Sequence, residues 1–142
     1  MSAPLYNAEI LRLAASIPHH ERLVHAHATA EKRSPVCGSR VTVDVALGED
    51  GRVKELGLLV RACALGQAST TLMAQAVLGR TPEEIADARD QLTGWLAGEG
   101  PIPDWPGLGV FEPALAATAR HPSIRLAFEA TAEAAAKARD HA

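Results

Sequence analysis

Cysteine is scarce in this sequence, whose 142 residues contain only Cys37 and Cys63. So few cysteines give no sign of the disulfide framework that stabilises small secreted domains. In a reducing compartment, such residues are thiols, metal ligands or buried small side chains more often than they are structural disulfides. The spacing and surroundings of Cys37 and Cys63 must therefore indicate what they do.

An excess of positive charge is also missing. The 14 Lys and Arg residues are outnumbered by 17 Asp and Glu residues, so the net charge of -3 gives no broad basic surface for nucleic acid. No apolar run approaches the roughly 20 residues that a membrane span needs. The amino terminus lacks the basic start and long apolar core of a signal peptide. We therefore expect a cytoplasmic protein that binds neither nucleic acid nor membrane.

The motifs of common enzymes are absent as well. There is no phosphate-cradling glycine motif, and the hydroxyls of Ser69, Thr70 and Thr71 lack a marked Ser-His-Asp setting or a nucleophile elbow. The pair Glu83-Glu84 is better explained by helix capping than by acid-base catalysis. The sequence thus gives no support to a conventional hydrolase or a nucleotide-dependent enzyme.

The hydrophobic pattern predicts one domain over residues 1–142, with a helix, three strands and then further helices. Helical spacing over residues 6–14 predicts the first helix. Alternation of apolar and polar residues predicts strands over residues 23–31 and 40–47, and the turn residues 48–51 lead into a returning strand that contains Leu56, Leu58 and Val60. These strands form a three-stranded antiparallel sheet with one apolar face, which helices must cover.

The second half of the chain supplies those helices. An apolar stripe after Cys63 ends at Gly79, and Thr81-Pro82-Glu83-Glu84 combines an N-cap, a first-turn proline and a capping glutamate, which predicts a helix over residues 82–96. Residues 97–109 are predicted as a loop and residues 113–119 as a short helix. Pro122 opens an alanine-rich final helix whose core-facing residues are Ile124, Phe128, Thr131 and Ala135. The predicted fold class is α+β.

The two cysteines flank the predicted central hairpin. Cys37 precedes one strand and Cys63 follows the next, so the hairpin returns both sulfurs to one end of the sheet. Cys63 lies where a strand ends and a helix begins, near unpaired backbone N–H groups and the positive end of the helix dipole, which favour thiolate over thiol. Gly38 lets the backbone turn closely around the same site. The residues alone leave open a metal or sulfur site, buried structural cysteines and a disulfide redox switch.

Several motifs occur here in the order and spacing of a known family. They are Cys37-Gly38, Ala62-Cys63-Ala64, residues 67–74, Gly79 and residues 81–85, with weaker matches at Leu5-Tyr6, Phe111 and residues 121–125. This pattern resembles the iron-sulfur cluster assembly scaffold family of the IscU, SufU and NifU N-terminal type, and within it the SufU-like branch.

The resemblance carries expectations about fold and function. It implies an IscU/SufU-like fold and a scaffold or sulfur-acceptor protein rather than an enzyme. It further implies that Cys37 and Cys63 bind iron, an iron-sulfur cluster or zinc. In such a protein, sulfur comes from a cysteine desulfurase and the cluster passes to recipient proteins.

The sequence departs from the family pattern at two ligand positions. The family aspartate after Cys-Gly is Ser39 here, and alignment of the closing helix puts the third family cysteine at about Ala127. A hydroxyl is a poor ligand for zinc or iron, and a methyl group is none. Histidine could replace the missing ligands: His121 precedes the final helix, and His25 and His27 share one face of the predicted first strand. A surface or structural role for His121 and a solvated pair for His25 and His27 are the more common alternatives. The alternative is a degenerate paralogue that keeps the fold as a binding or regulatory module in cluster assembly.

Overall fold

The structure is a computed structural model that describes residues 5–35 and 38–141. Cys37, one of the two predicted site residues, lies outside the described residues. Within them, the strands are β1 (Ala28–Arg33), β2 (Arg40–Leu47) and β3 (Val53–Arg61). The α-helices are α1 (Ala8–Ala14), α2 (Ala64–Ala76), α3 (Pro82–Leu96) and α4 (His121–Asp140). Two 3-10 helices, Leu108–Ala114 and Thr118–Arg120, precede α4.

The three strands form one antiparallel sheet in the order β1-β2-β3. Val43, at the centre of β2, pairs with Ala30 on one side and with Leu58 on the other. The hairpin between β2 and β3 turns at residues 48–51, where the Gly51 N–H donates to the Gly48 carbonyl at 3.0 Å. Gly51 has a φ of 78°, a conformation that glycine adopts without strain. The predicted α+β class and antiparallel sheet are confirmed.

The inner face of the sheet packs against α4, which also contacts α2 and α3. Val41, Val43 and Val45 supply the apolar side chains of β2, and the four core positions predicted for the final helix are all fully buried. The Trp105 indole N–H donates to the Leu72 carbonyl at 2.9 Å, and its ring meets Phe128 edge-on with centroids 5.3 Å apart. Sheet, helices and the loop before α4 thus share one core.

The outer face of the sheet is covered by a segment that we call the strap, residues 20–23. The Glu21 carbonyl accepts from Leu58 N at 3.0 Å, and Leu23 N donates to the buried Asp44 carboxylate at 3.0 Å. The strap passes so close to Gly57 that a β-carbon there would lie 2.6 Å from the Glu21 carbonyl oxygen. Any side chain larger than hydrogen at residue 57 would therefore displace the strap.

The strap explains why the predicted first strand is wrong at its beginning. The regular pairing with β2 begins at Ala28; before it, His27 N donates to the Val45 carbonyl at 2.8 Å, and Val24 is 88% exposed. The side chain of Asp44 instead fixes the chain on the outer face just before β1 begins. The prediction over residues 23–31 therefore fits only from Ala28 onwards, and the strand extends to Arg33.

The predicted helix over residues 82–96 is confirmed, with its capping box. The Thr81 hydroxyl accepts from Glu84 N at 3.1 Å, and the Glu84 carboxylate accepts from Thr81 N at 3.3 Å. The predicted short helix over residues 113–119 is wrong, because Pro113 lies inside a 3-10 helix that begins at Leu108. No helix in residues 5–35 or 38–141 combines the length and apolar character needed to cross a bilayer.

Candidate functional site

The turn between β1 and β2 is closed by backbone hydrogen bonds on both sides of the predicted site residue Cys37. Ser34 N donates to the Ser39 carbonyl at 2.8 Å, and Gly38 N donates to the Ser34 carbonyl at 3.1 Å. Gly38 has a φ of 71°, so this position needs the freedom of glycine. The described neighbours of Cys37 therefore lie in a tight turn immediately before β2.

Cys63 lies at the same end of the sheet. Arg40, the first residue of β2, pairs with Arg61, the last residue of β3, and Cys63 follows two residues later as the N-cap of α2. Its thiol is free and partly exposed, and the side chain makes no capping hydrogen bond. The hairpin thus brings Cys63 to the end of the sheet where the β1–β2 turn lies. The position of Cys37 itself stays a prediction.

Helices α2 and α4 begin together at this end. A β-carbon at Gly66 would lie 3.3 Å from the Ser123 carbonyl, and the Ser69 hydroxyl donates to the Ile124 carbonyl at 2.5 Å. Further along, the Thr131 hydroxyl lies 3.4 Å from the Met73 sulfur. Because residue numbers rise together along both helices, α2 and α4 run in the same direction. Both helix N-termini therefore face the end of the sheet that holds Cys63.

This parallel arrangement argues against Ala127 as the position of a third ligand. Gly66 lies beside Ser123, and Met73 lies beside Thr131. Ala127 is midway between Ser123 and Thr131, so it lies at the same height along the helix axes as a residue near Thr70. At 1.5 Å per residue, Thr70 lies roughly 10 Å along the helix axis from Cys63. Ala127 is also only 1% exposed. The first turn of α4, residues 121–123, lies much closer to Cys63 than Ala127 does.

His121 occupies that first turn and is buried, with 8% exposure. Its Nε2 lies 3.0 Å from the Ala114 carbonyl oxygen. A carbonyl only accepts hydrogen bonds, so Nε2 carries the proton and Nδ1 of the neutral ring keeps its lone pair. Histidines that bind metal usually donate their other ring N–H to such a partner, and structural histidines make the same hydrogen bond, so this contact leaves Nδ1 available without assigning it a ligand.

The other predicted histidine pair is not formed on a strand. His25 and His27 both precede β1, so the prediction that they share a strand face is wrong. Nδ1 of His27 accepts a hydrogen bond from Leu47 N at 3.0 Å, which occupies that nitrogen. The pair therefore gives no support to a metal site.

The sequence analysis missed Ser34 and did not predict that Ser34 and Ser39 are both buried. The side chains of Ser34 and Ser39 are both only 3% exposed, and the hydroxyl of Ser34 has no hydrogen-bond partner among the described residues. Serine next to proline and glycine is typical of an exposed turn, so the sequence carried no signal of this burial.

The described residues do not complete a metal site by themselves. Within residues 5–35 and 38–141, no group of three His, Cys, Asp or Glu side chains is placed to hold a metal ion. A site at this end therefore needs Cys37 together with Cys63, and donors beyond them. The free thiol of Cys63 favours zinc, iron or an iron-sulfur cluster over hard cations, which prefer oxygen ligands.

Comparison with known proteins identifies the family. Residues 5–94 match the model of the NifU-like N terminal domain. Over 82 residues, the chain is 26% identical to the iron-sulfur cluster assembly scaffold protein IscU of Streptococcus pyogenes serotype M1. That match covers 58% of this chain and 51% of the relative, so the chain spans about half the length of the curated relative that it matches.

Solved structures agree with this assignment. A nitrogen-fixing NifU-like protein (N-terminal) from Brucella abortus is 36% identical, with a TM-score of 0.91 over 97% of this chain and 96% of that chain. A putative iron-sulfur cluster assembly scaffold protein for the SUF system from Fervidobacterium islandicum AW-1 is 18% identical, with a TM-score of 0.81 over 92% of this chain and 96% of that chain, which supports the fold alone. The family match includes both cysteines and ends before α4. The chain belongs to the NifU-like N-terminal domain family of iron-sulfur cluster assembly scaffolds.

Proposed function

We propose that this protein is a scaffold for iron-sulfur cluster assembly whose Cys37 and Cys63 accept sulfur and hold iron, an iron-sulfur cluster or zinc. The observation that carries the proposal is the free, partly exposed thiol of Cys63 at the start of α2, at the end of the sheet where the β1–β2 turn lies. Family membership supports the same reading. A cysteine desulfurase would supply the sulfur, and cluster-recipient proteins would take the product.

Sulfur acceptance needs only a thiolate and access to it. The thiolate of Cys63 attacks the outer sulfur of a persulfide on the desulfurase, and a new S–S bond forms as the donor's S–S bond breaks. The donor cysteine leaves as a thiolate, so one persulfide replaces another without net oxidation. The unpaired N–H groups at the start of α2 favour the attacking thiolate. The partial exposure of Cys63 leaves it open to a protein donor.

Metal retention needs further donors. Zinc and iron-sulfur sites ordinarily use four ligands, and Cys37 with Cys63 supplies half of them. Nδ1 of His121 is a third candidate because its ring is buried in the first turn of α4. Ser39 contributes a hydroxyl, a weak ligand. The remaining positions are therefore left to sulfide, solvent or a partner protein, and we expect weaker metal binding than a complete four-ligand site provides.

The test is the metal and acid-labile sulfide content of protein purified without oxygen, with an absorbance spectrum. Wild type is compared with the Cys37→Ser/Cys63→Ser variant. A second variant, Cys63→Ser/Ser16→Cys, keeps two thiols in the protein but moves one of them to position 16. Ser16 is exposed just after α1, where its backbone N–H donates to the Leu13 carbonyl. This control separates a specific site from chance binding by thiols.

Each outcome has a defined meaning. Iron with sulfide in wild type, lost in both variants, supports a cluster scaffold with an unusual ligand set. Zinc alone, lost in both variants, supports the sulfur-acceptor form. If wild type takes up neither metal nor sulfide after both are offered, the proposal fails, and the family fold acts here as a binding or regulatory module.

A further inference from the structure

Ser34 carries a hydroxyl whose burial calls for an explanation. The residue is 3% exposed, and its Oγ has no hydrogen-bond partner within the described part of the chain. A buried hydroxyl that leaves water without gaining a partner lowers the stability of the fold. Most buried polar groups in native proteins are paired, so an unpaired one points to a partner that is absent from the isolated chain.

The strand register places this hydroxyl on the inner face of the sheet. Lys32 pairs with Val41 and Ala30 with Val43, and Ala30 is buried against the helices. Alternate residues of a strand share a face, so Ser34, two residues after Lys32, continues this row. The Ser34–Ser39 backbone hydrogen bond extends the β1–β2 pairing to the end of the sheet.

The same register leads from Ser34 to the cysteine end. Val41 pairs with Val60, which is buried, so Ala62 follows Val60 on the inner face. Ala62 packs beside Gly66, since a β-carbon at residue 66 would lie 2.9 Å from the Ala62 methyl. Ala62 immediately precedes Cys63. The unpaired hydroxyl of Ser34, Ser39 after the β1–β2 turn, and the residue before α2 thus lie at the same end of the inner face.

The chemistry of a hydroxyl at this place favours one kind of partner. It is a poor ligand for zinc or iron but a good hydrogen-bond donor. Thiolate, persulfide and sulfide are anionic sulfur species that accept such bonds, and hydrogen bonds to charged groups are stronger than those between neutral groups. Hydrogen bonds to sulfur also tune iron-sulfur sites.

We propose that the Ser34 hydroxyl donates a hydrogen bond to anionic sulfur held at the Cys37–Cys63 end of the sheet. This inference rests on the proposed function, because it needs sulfur chemistry at that end. Ser34 is then a positioning residue: it binds no metal, and it holds the sulfur in one orientation while the metal or the recipient approaches.

The test uses Ser34→Ala in the full chain and depends on two effects of opposite sign. Without ligand, in reductant and chelator, removing an unpaired buried hydroxyl should raise the melting temperature. With Zn²⁺ added against a competing chromogenic chelator, the variant should bind about tenfold more weakly, because a hydrogen bond to a charged sulfur is lost. A merely structural serine would not move the two measurements in opposite directions.

Two further variants complete the design. Ser34→Thr keeps the hydroxyl and should retain wild-type zinc affinity. Ser69→Ala removes a buried hydroxyl that is paired with the Ile124 carbonyl at 2.5 Å, so it should lower the melting temperature of the ligand-free protein. Ser69→Ala therefore gives the change in melting temperature that is expected when a hydrogen-bonded buried hydroxyl is removed.

The failures are distinguishable. If wild type takes up neither Zn²⁺ nor iron with sulfide, or if Cys37→Ser/Cys63→Ser binds Zn²⁺ as well as wild type does, the proposed function itself is wrong. If binding depends on the cysteines but Ser34→Ala binds like wild type, only the role of Ser34 is overturned. A fall in melting temperature like that of Ser69→Ala, with unchanged zinc affinity, would instead assign the hydroxyl to a buried water molecule.

Discussion

The guanidinium of Arg22 donates two hydrogen bonds to the carboxylate of Asp44, from Nε to Oδ2 at 2.6 Å and from Nη2 to Oδ1 at 3.0 Å. Leu23 N and the Thr29 hydroxyl also donate to this carboxylate, which is completely buried. Burial alone would raise the pKa of Asp44, but the hydrogen bonds from Arg22, Thr29 and Leu23, with the charge of Arg22, outweigh burial and hold the pKa below its usual value. Asp44 is therefore the anchor of the strap.

Asp44→Asn should destabilise the protein by about 2–4 kcal/mol, because the variant loses the charge that Arg22 pairs with and places donor hydrogens against donors. The folded-state pKa of Asp44 is lowered, so its contribution is fully present above the unfolded value of about 3.9 and is lost as pH falls through the folded value. Urea unfolding at pH 7, 5 and 3 should show the gap between wild type and variant shrinking only at the acid end. Glu55→Gln, at an exposed position on β3, is the control and should stay within about 0.5 kcal/mol of wild type. A gap that is constant across pH would contradict this account.

Gly57→Ala and Gly94→Ala should change stability in opposite directions. A β-carbon at residue 57 would lie 2.6 Å from the Glu21 carbonyl and 2.7 Å from Leu23 N, so it must displace the strap. At Gly94, inside α3, a β-carbon meets nothing within 4 Å and helix propensity favours alanine. Thermal unfolding should show Gly57→Ala destabilised by about 1–3 kcal/mol and Gly94→Ala stabilised by up to about 1 kcal/mol. Equal effects of the two substitutions would rule out close contact between strap and sheet.

Pro122→Cys should strengthen zinc binding more than Ala127→Cys does. On α4, Lys137 Nζ donates to the Thr29 carbonyl at 3.4 Å, and the Glu133 carboxylate lies 3.3 Å from Lys32 Nζ. This side of the helix therefore runs along β1 towards the β1–β2 turn. At helical spacing, Pro122 continues that side into the first turn. With Ser39→Asp present in both proteins, competition with a chelator should show at least a tenfold gain for Pro122→Cys and none for Ala127→Cys. A gain from Ala127→Cys alone would restore the alignment inferred from sequence.

Gly66→Ala should separate the beginnings of α2 and α4. The added carbon would lie 2.9 Å from the Ala62 methyl and 3.3 Å from the Ser123 carbonyl, which predicts a loss of about 1–3 kcal/mol. Ala62→Gly removes the nearer atom, so the double variant should be more stable than the sum of the single effects predicts. Urea unfolding of all four members of the cycle gives the coupling energy. If the two changes in the free energy of unfolding simply add in the double variant, residues 62 and 66 are not in contact.

Local patterns predicted much of this fold. The capping box of α3 depends on Thr81 and Glu84, four positions of continuous sequence, so the start of the helix was readable. The turn at residues 48–51 could also be predicted, because its residues are consecutive in the sequence. The strap was not, because Asp44 becomes an anchor only when Arg22 and Thr29 reach it from distant positions. An aspartate that alternates with valines is typical of a solvated strand face, and only the tertiary contacts bury it.

The position of Cys63 at one end of the sheet was predictable for a different reason. A hairpin must return to its starting end, so Cys63 was expected beside the residues that follow Cys37, and the structure places it there. Which residue of α4 lies level with Cys63 was not predictable, because it depends on the offset between α4 and α2 along their axes. That offset is fixed by packing at Gly66 and by the Ser69–Ile124 hydrogen bond, neither of which is visible as a motif.

The strap has a consequence for solubility. A strand at the margin of a sheet exposes N–H and C=O groups that can recruit another chain. Along β3, Leu58 N is occupied by the Glu21 carbonyl and Val60 N by the His20 ring at 3.3 Å. When the anchor at Asp44 fails, those donors and the 41%-exposed Leu59 become available to a second molecule. Loss of one buried carboxylate should therefore appear first as self-association through this edge, before the core of the protein unfolds.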